Sequence, residues 1–319
     1  MRRVINVSLV LSSLFLLFAC DDVLEDDITD DVVTTVSPKD ETALEGNSVQ
    51  FRWEELEGAD EYRIQVIEEV NQRSVLDSLV SGSSFTFGLN PGTYNWRIRG
   101  ENFAYVTAYS FPSSFTLTSS DDLSIQEVFL TSPSDNFYTN KDALIVSWDR
   151  VRAATSYTVV VDKTIQGNTA TEIQTPDVTD TNFTLNATIL SEDAIYTWKV
   201  KAVNDNSETN FSTRRILLDT QIPNQPTLSS PTSDANVSTT VTFTWNISGD
   251  TGEVQSPITS ILEIATDEGF GSIVETVTTN NNSQQLDFAD VGDYYWRVKA
   301  KDEAGNESTV SEGRKFTVQ

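Results

Sequence analysis

Short stretches of the chain place a large apolar side chain at alternate positions. Val49-Gln50-Phe51-Arg52-Trp53, Tyr62-Arg63-Ile64-Gln65-Val66, the run from Tyr157 to Val161, and Val241-Thr242-Phe243-Thr244-Trp245 all follow this pattern. A period of two is that of a strand with one buried and one wet face. Thr, Val and Ser dominate these segments, and turn residues arrive about every ten positions, the spacing of short antiparallel strands. Helical periodicity is sustained nowhere after residue 20. The chain is therefore expected to be all-β.

The tryptophans give the period of the repeat. Six of them fall into three pairs, Trp53/Trp96, Trp148/Trp198 and Trp245/Trp296, and the first members recur after 95 and 97 residues. A repeat of that length is a whole domain, not a solenoid unit. Each copy opens with Ser-Pro (Ser37-Pro38, Ser132-Pro133, Ser230-Pro231), and its first Trp follows the proline by 15, 15 and 14 residues. The second Trp lies in Tyr94-Asn95-Trp96-Arg97-Ile98-Arg99-Gly100, Tyr196-Thr197-Trp198-Lys199-Val200-Lys201-Ala202 and Tyr294-Tyr295-Trp296-Arg297-Val298-Lys299-Ala300. In each stretch the bases alternate with the apolar residues. A unit of about 100 residues is the size of a two-sheet sandwich, so the expected architecture is three tandem β-sandwiches in a rod, at residues 36–120, 127–219 and 223–319.

Trp on an early strand and Tyr-x-Trp-x-[Ile/Val] on a late one resemble fibronectin type III and related bacterial Ig-like domains. The third copy is closest to the bacterial form. Its Ile264-Ala265-Thr266-Asp267-Glu268-Gly269-Phe270 and Lys301-Asp302-Glu303-Ala304-Gly305-Asn306-Glu307-Ser308 resemble recurring loops of that group, and Asp219-Thr220-Gln221-Ile222-Pro223 resembles its inter-domain linker. The fold hosts many functions, so the motifs identify no activity.

The first twenty residues are of another kind. Met1-Arg2-Arg3 precedes the apolar run Val4 to Ala19, which is shorter than the ~20 residues a spanning helix needs. A positive start, an apolar core and a small residue at the end are the layout of a secretory signal. Leu17-Phe18-Ala19-Cys20 resembles the lipobox of bacterial lipoproteins, in which a peptidase cleaves before a cysteine that carries the acyl chains. The resemblance implies a signal peptide at residues 1–19, lipidation at Cys20 and a membrane attachment through that anchor. Asp21, Asp22, Glu25, Asp26, Asp27, Asp30 and Asp31 follow. So charged a run is expected to be a disordered tether over residues 20–35. Acids after a lipidated Cys also resemble the surface-export signal of Bacteroidetes lipoproteins, which implies a cell-envelope, outer-membrane, surface-exposed location.

Composition narrows the chemistry. The chain has 319 residues, 21 Lys+Arg against 48 Asp+Glu, no histidine and one cysteine, for a net charge of −27. Without histidine there is no Ser-His-Asp or Cys-His relay and no imidazole zinc site. The excess of acid argues against nucleic acid, which is bound by releasing counterions against Lys and Arg. One cysteine excludes an intrachain disulfide framework. Paired carboxylates remain the one catalytic mechanism the composition permits, and no cofactor is expected.

Two places stand out as candidate sites. Copy one carries an aromatic segment after its late strand, Phe103-Ala104-Tyr105-Val106-Thr107-Ala108-Tyr109-Ser110-Phe111, where the other copies are polar. Exposed rings bring large contact area at little entropy cost, which makes Phe103, Tyr105 and Tyr109 the candidate ligand- or partner-binding residues. In a seven-strand antiparallel sandwich this sixth connection shares a pole with the incoming N-terminus, which favours an outer-membrane protein partner over a diffusing glycan. By the same parity the long connection Asn246 to Ser260 of copy three shares a pole with Asp302, Glu303 and Asn306, and that pole faces copy two. Asp250, Asp302 and Asn306 are weak candidate calcium ligands, but no spaced Asp-x-Asp-x-Asp loop is present, so solvated loop acids and no metal are expected.

The resulting expectation is a non-catalytic cell-envelope lipoprotein, a binding or scaffolding accessory for glycan capture or an outer-membrane uptake complex. An adhesion or spacer protein without a small ligand, and a carboxylate-dependent glycoside hydrolase, are the alternatives.

Overall fold

A computed structural model describes residues 25–249 and 251–319. Cys20 and Asp250 lie outside them. Copy one comprises β1 (Thr35–Ser37), β2 (Thr42–Glu45), β3 (Ser48–Trp53), β4 (Glu61–Glu68), β5 (Arg73–Val80), β6 (Ser84–Gly88), β7 (Gly92–Glu101) and β8 (Ser113–Thr118). Copy two comprises β9 (Leu130–Ser132), β10 (Phe137–Thr139), β11 (Leu144–Trp148), β12 (Ser156–Ile165), β13 (Asn168–Val178), β14 (Asn182–Leu185), β15 (Ala194–Val203) and β16 (Ser212–Leu218). Copy three comprises β17 (Thr227–Ser230), β18 (Ala235–Val237), β19 (Thr240–Asn246), β20 (Ile258–Ala265), β21 (Ile273–Thr279), β22 (Ser283–Asp287), β23 (Gly292–Asp302) and β24 (Arg314–Val318). Among the described residues no helix is long and apolar enough to cross a membrane.

The same two sheets are built three times. A three-stranded sheet has the order β1-β3-β6, β9-β11-β14 or β17-β19-β22, and a five-stranded sheet the order β2-β8-β7-β4-β5, β10-β16-β15-β12-β13 or β18-β24-β23-β20-β21. Each copy is a two-sheet β-sandwich whose first strand is shared between the sheets. The repeated Ser-Pro marks the change of sheet: each of these peptide bonds is cis, and each lies between the strand that ends at the serine and the next. Contacts divide the chain into two compact units, the first holding most of copy one and the second holding copies two and three with Leu44–Ser48 and Gly88–Pro91.

Alternation in the sequence becomes burial in the structure. In β7 and β15 every second residue is buried, and Arg97, Arg99, Lys199 and Lys201 fall on the open face. In the core of copy one Phe51 meets Trp96 at 5.1 Å and Phe115 at 5.8 Å between ring centroids. Copy three repeats this with Phe243 against Trp296 at 5.2 Å and Phe316 at 5.4 Å. Fully burying one such ring contributes about 1.5–3 kcal/mol, so these clusters, more than any surface pair, hold copies one and three together.

One substitution sets the β19–β20 connection of copy three apart from its counterparts. Tyr62 and Tyr157, paired with Gly100 and Ala202 on the neighbouring strand, each accept a hydrogen bond at Oη from the backbone of the preceding connection, from Leu56 N at 2.8 Å and Val151 N at 2.9 Å. The residue in that register in copy three is Ser260, opposite Ala300. Its hydroxyl accepts from Trp245 Nε1 at 2.8 Å instead. Freed of the tyrosine clamp, the β19–β20 connection is longer than its counterparts and reaches copy two.

The tether expected over residues 20–35 is corrected from residue 25 onward. Ile28 is 1% exposed and Val33 2%, and Val32 forms a parallel bridge with Ala108. Asp26-Asp27-Ile28-Thr29 through Val33 matches Asp121-Asp122-Leu123-Ser124 through Val128 without a gap. The local bonds also match: Thr29 N and Ser124 N donate to Asp27 Oδ1 and Asp122 Oδ1, and Asp31 N and Gln126 N to the carbonyls of Ile28 and Leu123. Charge density suggested disorder, but two apolar residues five apart, spaced by an Asx turn, are enough to seat the segment.

Candidate binding surface and the loops that fix it

An asparagine just after β7 organises the aromatic segment of copy one. Asn102 Oδ1 accepts from Ala104 N at 3.1 Å and Tyr105 N at 2.7 Å, closing a tight turn. Its Nδ2 donates to the carbonyls of Gly58 and Asp26, both at 2.8 Å. The turn is thus tied to the incoming N-terminal segment, at the shared pole that strand parity requires.

The three expected residues do not form one cluster. Phe103 stands 94% exposed at the tip of the turn. Tyr105 is exposed on the same turn. Tyr109 lies back on the sheet, half-buried, with the Arg97 and Arg99 guanidinium carbons 4.3 and 4.9 Å from its ring centre. It serves as a platform for two cations, not as a free ring. Phe111, 93% exposed, is a further open ring of the segment. A hollow of about 270 Å³ beside Phe103 is lined by Asp60, Glu61, Glu101 and Asn102.

The Asn102 clip recurs. Asn204 Nδ2 donates to the carbonyls of Asp121 at 2.9 Å and Ala153 at 3.2 Å, and its Oδ1 accepts from Asn206 N and Ser207 N. Copy three has Asp302 at this position, and a carboxylate cannot donate. The task passes to Asn306, whose Nδ2 reaches Asp302 Oδ2 at 2.8 Å and the Asp219 carbonyl at 2.9 Å. Every copy therefore ties its β7-, β15- or β23-following loop to the carbonyl of an aspartate in the segment that precedes it. Sequence reasoning missed this clip, although the ungapped match of residues 26–33 with 121–128 carries its signal.

Of the three weak calcium candidates, Asp302 and Asn306 lie among the described residues. Asp302, 3% exposed, accepts from Gly305 N and Asn306 N at 2.7 Å through Oδ1. Asn306 Oδ1 accepts from Asn140 Nδ2 at 3.2 Å. Both oxygens of Asp302 thus face N–H donors, the opposite of a cation cage. Among the described residues no group of three acidic, Cys or His side chains could hold a metal ion.

The β19–β20 connection locks onto copy two. Val254 N donates to Asp193 Oδ1 at 2.7 Å, and Ser256 donates to Asp219 Oδ2 from N at 3.0 Å and from Oγ at 2.6 Å. Asp219 is 0% exposed. A Cβ at Gly252 would come within 2.8 Å of Asp193 Oδ2 and of Gln221 Cγ and 3.0 Å from the Val254 carbonyl, so a larger residue there would push these neighbours aside.

No family model matches the chain, and no curated protein matches it. Among solved structures it is similar to the FN1–FN3 domains of chicken CNTN1, at 17% identity and a TM-score of 0.47, over 90% of this chain and 97% of that one.

Proposed function

We propose that the chain is a non-catalytic accessory of the bacterial cell envelope, lipid-anchored at Cys20 on the outer-membrane surface, whose copy one binds a partner in an uptake complex or a glycan. The observation that carries the binding role is Phe103: a large ring 94% exposed, on a turn held rigid by Asn102 and the docked N-terminal segment. An exposed aromatic on a fixed support has little entropy to lose when a partner covers it. The anchor reading is supported by the single cysteine directly after the apolar leader. Cys20→Ser is expected to move the protein from the membrane to the soluble fraction. Capture of envelope proteins or glycans by the wild-type chain, lost with Phe103→Ala and Tyr105→Ala, tests the binding surface. Binding unchanged in both variants refutes it.

A spacer role is the second reading. The observation in its favour is the junction of copies two and three, where Asp193, Asp219 and Asn306 are all engaged across the boundary. A chain that is normally located and tolerates Phe103→Ala, but fails when that junction is broken, would be a spacer.

A further inference from the structure

The docked N-terminal segment bounds how far the aromatic turn of copy one stands from Cys20. Asn102, the residue before Phe103, donates from Nδ2 to the Asp26 carbonyl at 2.8 Å. Buried Ile28 and Val33 hold the segment beyond that point, and Val32 is bridged to Ala108. The distance is therefore set by the chain from Cys20 to Asp26, not by the longer stretch up to β1. A fully extended chain covers at most ~3.6 Å per residue, which puts Asp26 within about 22 Å of Cys20, against about 54 Å for Thr35 were the segment undocked.

The connection after the late strand is apolar in copy one and polar in its counterparts. Val106, Glu208 and Glu307 hold one place, each bridged to the residue just before the clip, Glu101, Val203 and Lys301. Glu208 pairs with Lys201, and Glu307 with Lys299 and Lys301. Valine removes that pairing from copy one. Counting back, Phe103, Ala104 and Tyr105 stand where copy two has Asp205, Asn206 and Ser207. The four residues from Phe103 to Val106 are all exposed, as is Val32 on the bridged segment. A contiguous exposed apolar patch marks a contact with protein or with membrane. In copy three the same connection meets protein, and there it is polar: Asn140 N donates to the Ala304 carbonyl at 3.1 Å, beside the bond from Asn306 to Asp219.

We infer that Phe103, Tyr105, Val106 and Val32 form a lipid-contact surface, with which copy one meets the membrane that holds Cys20, the Phe103 ring entering the boundary between headgroups and acyl chains. The inference rests on the anchored reading, because Cys20 sets the bound, and it adds a lipid contact to the binding surface of copy one. An anchored chain keeps this pole within reach of lipid at all times, whereas any other partner has to arrive by diffusion. The side chains of Phe103, Ala104 and Val106 have nothing to donate or accept, which suits hydrocarbon better than the polar contacts this connection makes in copy three. Depth is limited by Asp60, Glu61 and Glu101, which line the hollow beside Phe103 and whose carboxylates stay in water. The contact is thus shallow, in the ~5–10 Å that an interfacial apolar face occupies, a level that also suits the polar tip of Tyr105.

All six tryptophans are buried, so a tryptophan added to the turn reports separately from them. The chain from Cys20 onward, which holds every described residue, is coupled through the Cys20 thiol to a maleimide lipid in phosphatidylcholine vesicles. The emission of Phe103→Trp should move to the blue on coupling. Lipids brominated near the headgroup end of the acyl chain should quench it more than lipids brominated near the tail. Val70→Trp, on the exposed turn between β4 and β5 at the opposite pole, should show neither effect. With Tyr105→Trp as reporter, Phe103→Ala should lower the ratio of inserted to free turns about tenfold, the low end of what burying one ring supplies. Val106→Glu, the residue of copies two and three, should lower it as well. An unquenched Phe103→Trp reporter on the coupled chain overturns the inference, as does equal quenching of Val70→Trp or an unchanged ratio in Phe103→Ala. An emission shift that appears only with envelope membranes that retain their proteins would assign the turn to a protein partner and overturn it too. The coupling supplies the anchor chemically, so these outcomes are separate from the fractionation of Cys20→Ser, which tests the anchored reading itself.

Discussion

Asn306 Nδ2 donates to the backbone carbonyl of Asp219 at 2.9 Å. Asn102 does the same for Asp26, and Asn204 for Asp121. A side-chain amide suits the task because one group both accepts from its own turn and donates to a distant carbonyl. Where the position became Asp302, that pair of duties was split between two residues.

Asn102→Ala should cost copy one about 1–3 kcal/mol, the penalty for leaving partly buried backbone groups unpaired. It should also loosen the turn that presents Phe103. Amide exchange at Ala104, Tyr105 and Ile28 should accelerate together. Exchange at Ile28 unchanged would show that apolar packing alone seats the N-terminal segment. Asn204→Ala should give the same signature at Leu123.

Ile28→Ala tests the segment from the other side. Ile28 is 1% exposed, and deleting a buried aliphatic side chain of that size costs about 2–4 kcal/mol. Chemical denaturation of copy one should shift to lower denaturant at constant slope. A residue in a disordered tether would produce no shift at all.

Copies two and three should uncouple when their shared carboxylate is removed. Asp219 accepts from Ser256 N, Ser256 Oγ and Gln221 N while fully buried. Asp219→Ala leaves those donors unmet and should cost about 2–3 kcal/mol. Calorimetry should resolve two transitions where wild type unfolds copies two and three together. A single shifted transition would place the coupling in the remaining contacts of Asp193 and Asn306.

Much of the fold could be read directly from spacing. Paired tryptophans set the repeat, alternation set the strands, and strand parity put the aromatic segment of copy one beside the incoming chain and the long connection of copy three beside copy two. Two kinds of feature escaped. Asp26 to Val33 was masked by its own charge, because composition weighs the four acids in the stretch and not the two apolar residues that decide the outcome. Sequence left open whether Tyr109 was an exposed ring or packed on its sheet; the same alternation that puts Arg97 and Arg99 on the outer face of β7 gives its π-face two cations to stack on. Asp302 and Asn306 could be weighed only as loop oxygens, because a sequence does not show the N–H groups pointed at them.

Acid should release the N-terminal segment before it unfolds the sandwich. Hydrogen bonds from the Thr29 side chain and backbone hold the Asp27 carboxyl below the ordinary aspartate range, and those from Ser124 do the same for Asp122. A depressed folded-state pKa means that the ionised form is the one the fold favours. Its contribution is therefore complete above the unfolded value, about pH 4, and disappears as pH falls through the lower folded value. Both groups are at the surface, so salt weakens the effect. The methyl signal of Ile28, followed from pH 6 to pH 2, should move toward its solvent-exposed position while the buried Ile64 and Ile98 stay native. Asp27→Asn should flatten that profile. An Ile28 signal that changes only with those core residues would tie the segment to the sandwich by packing alone.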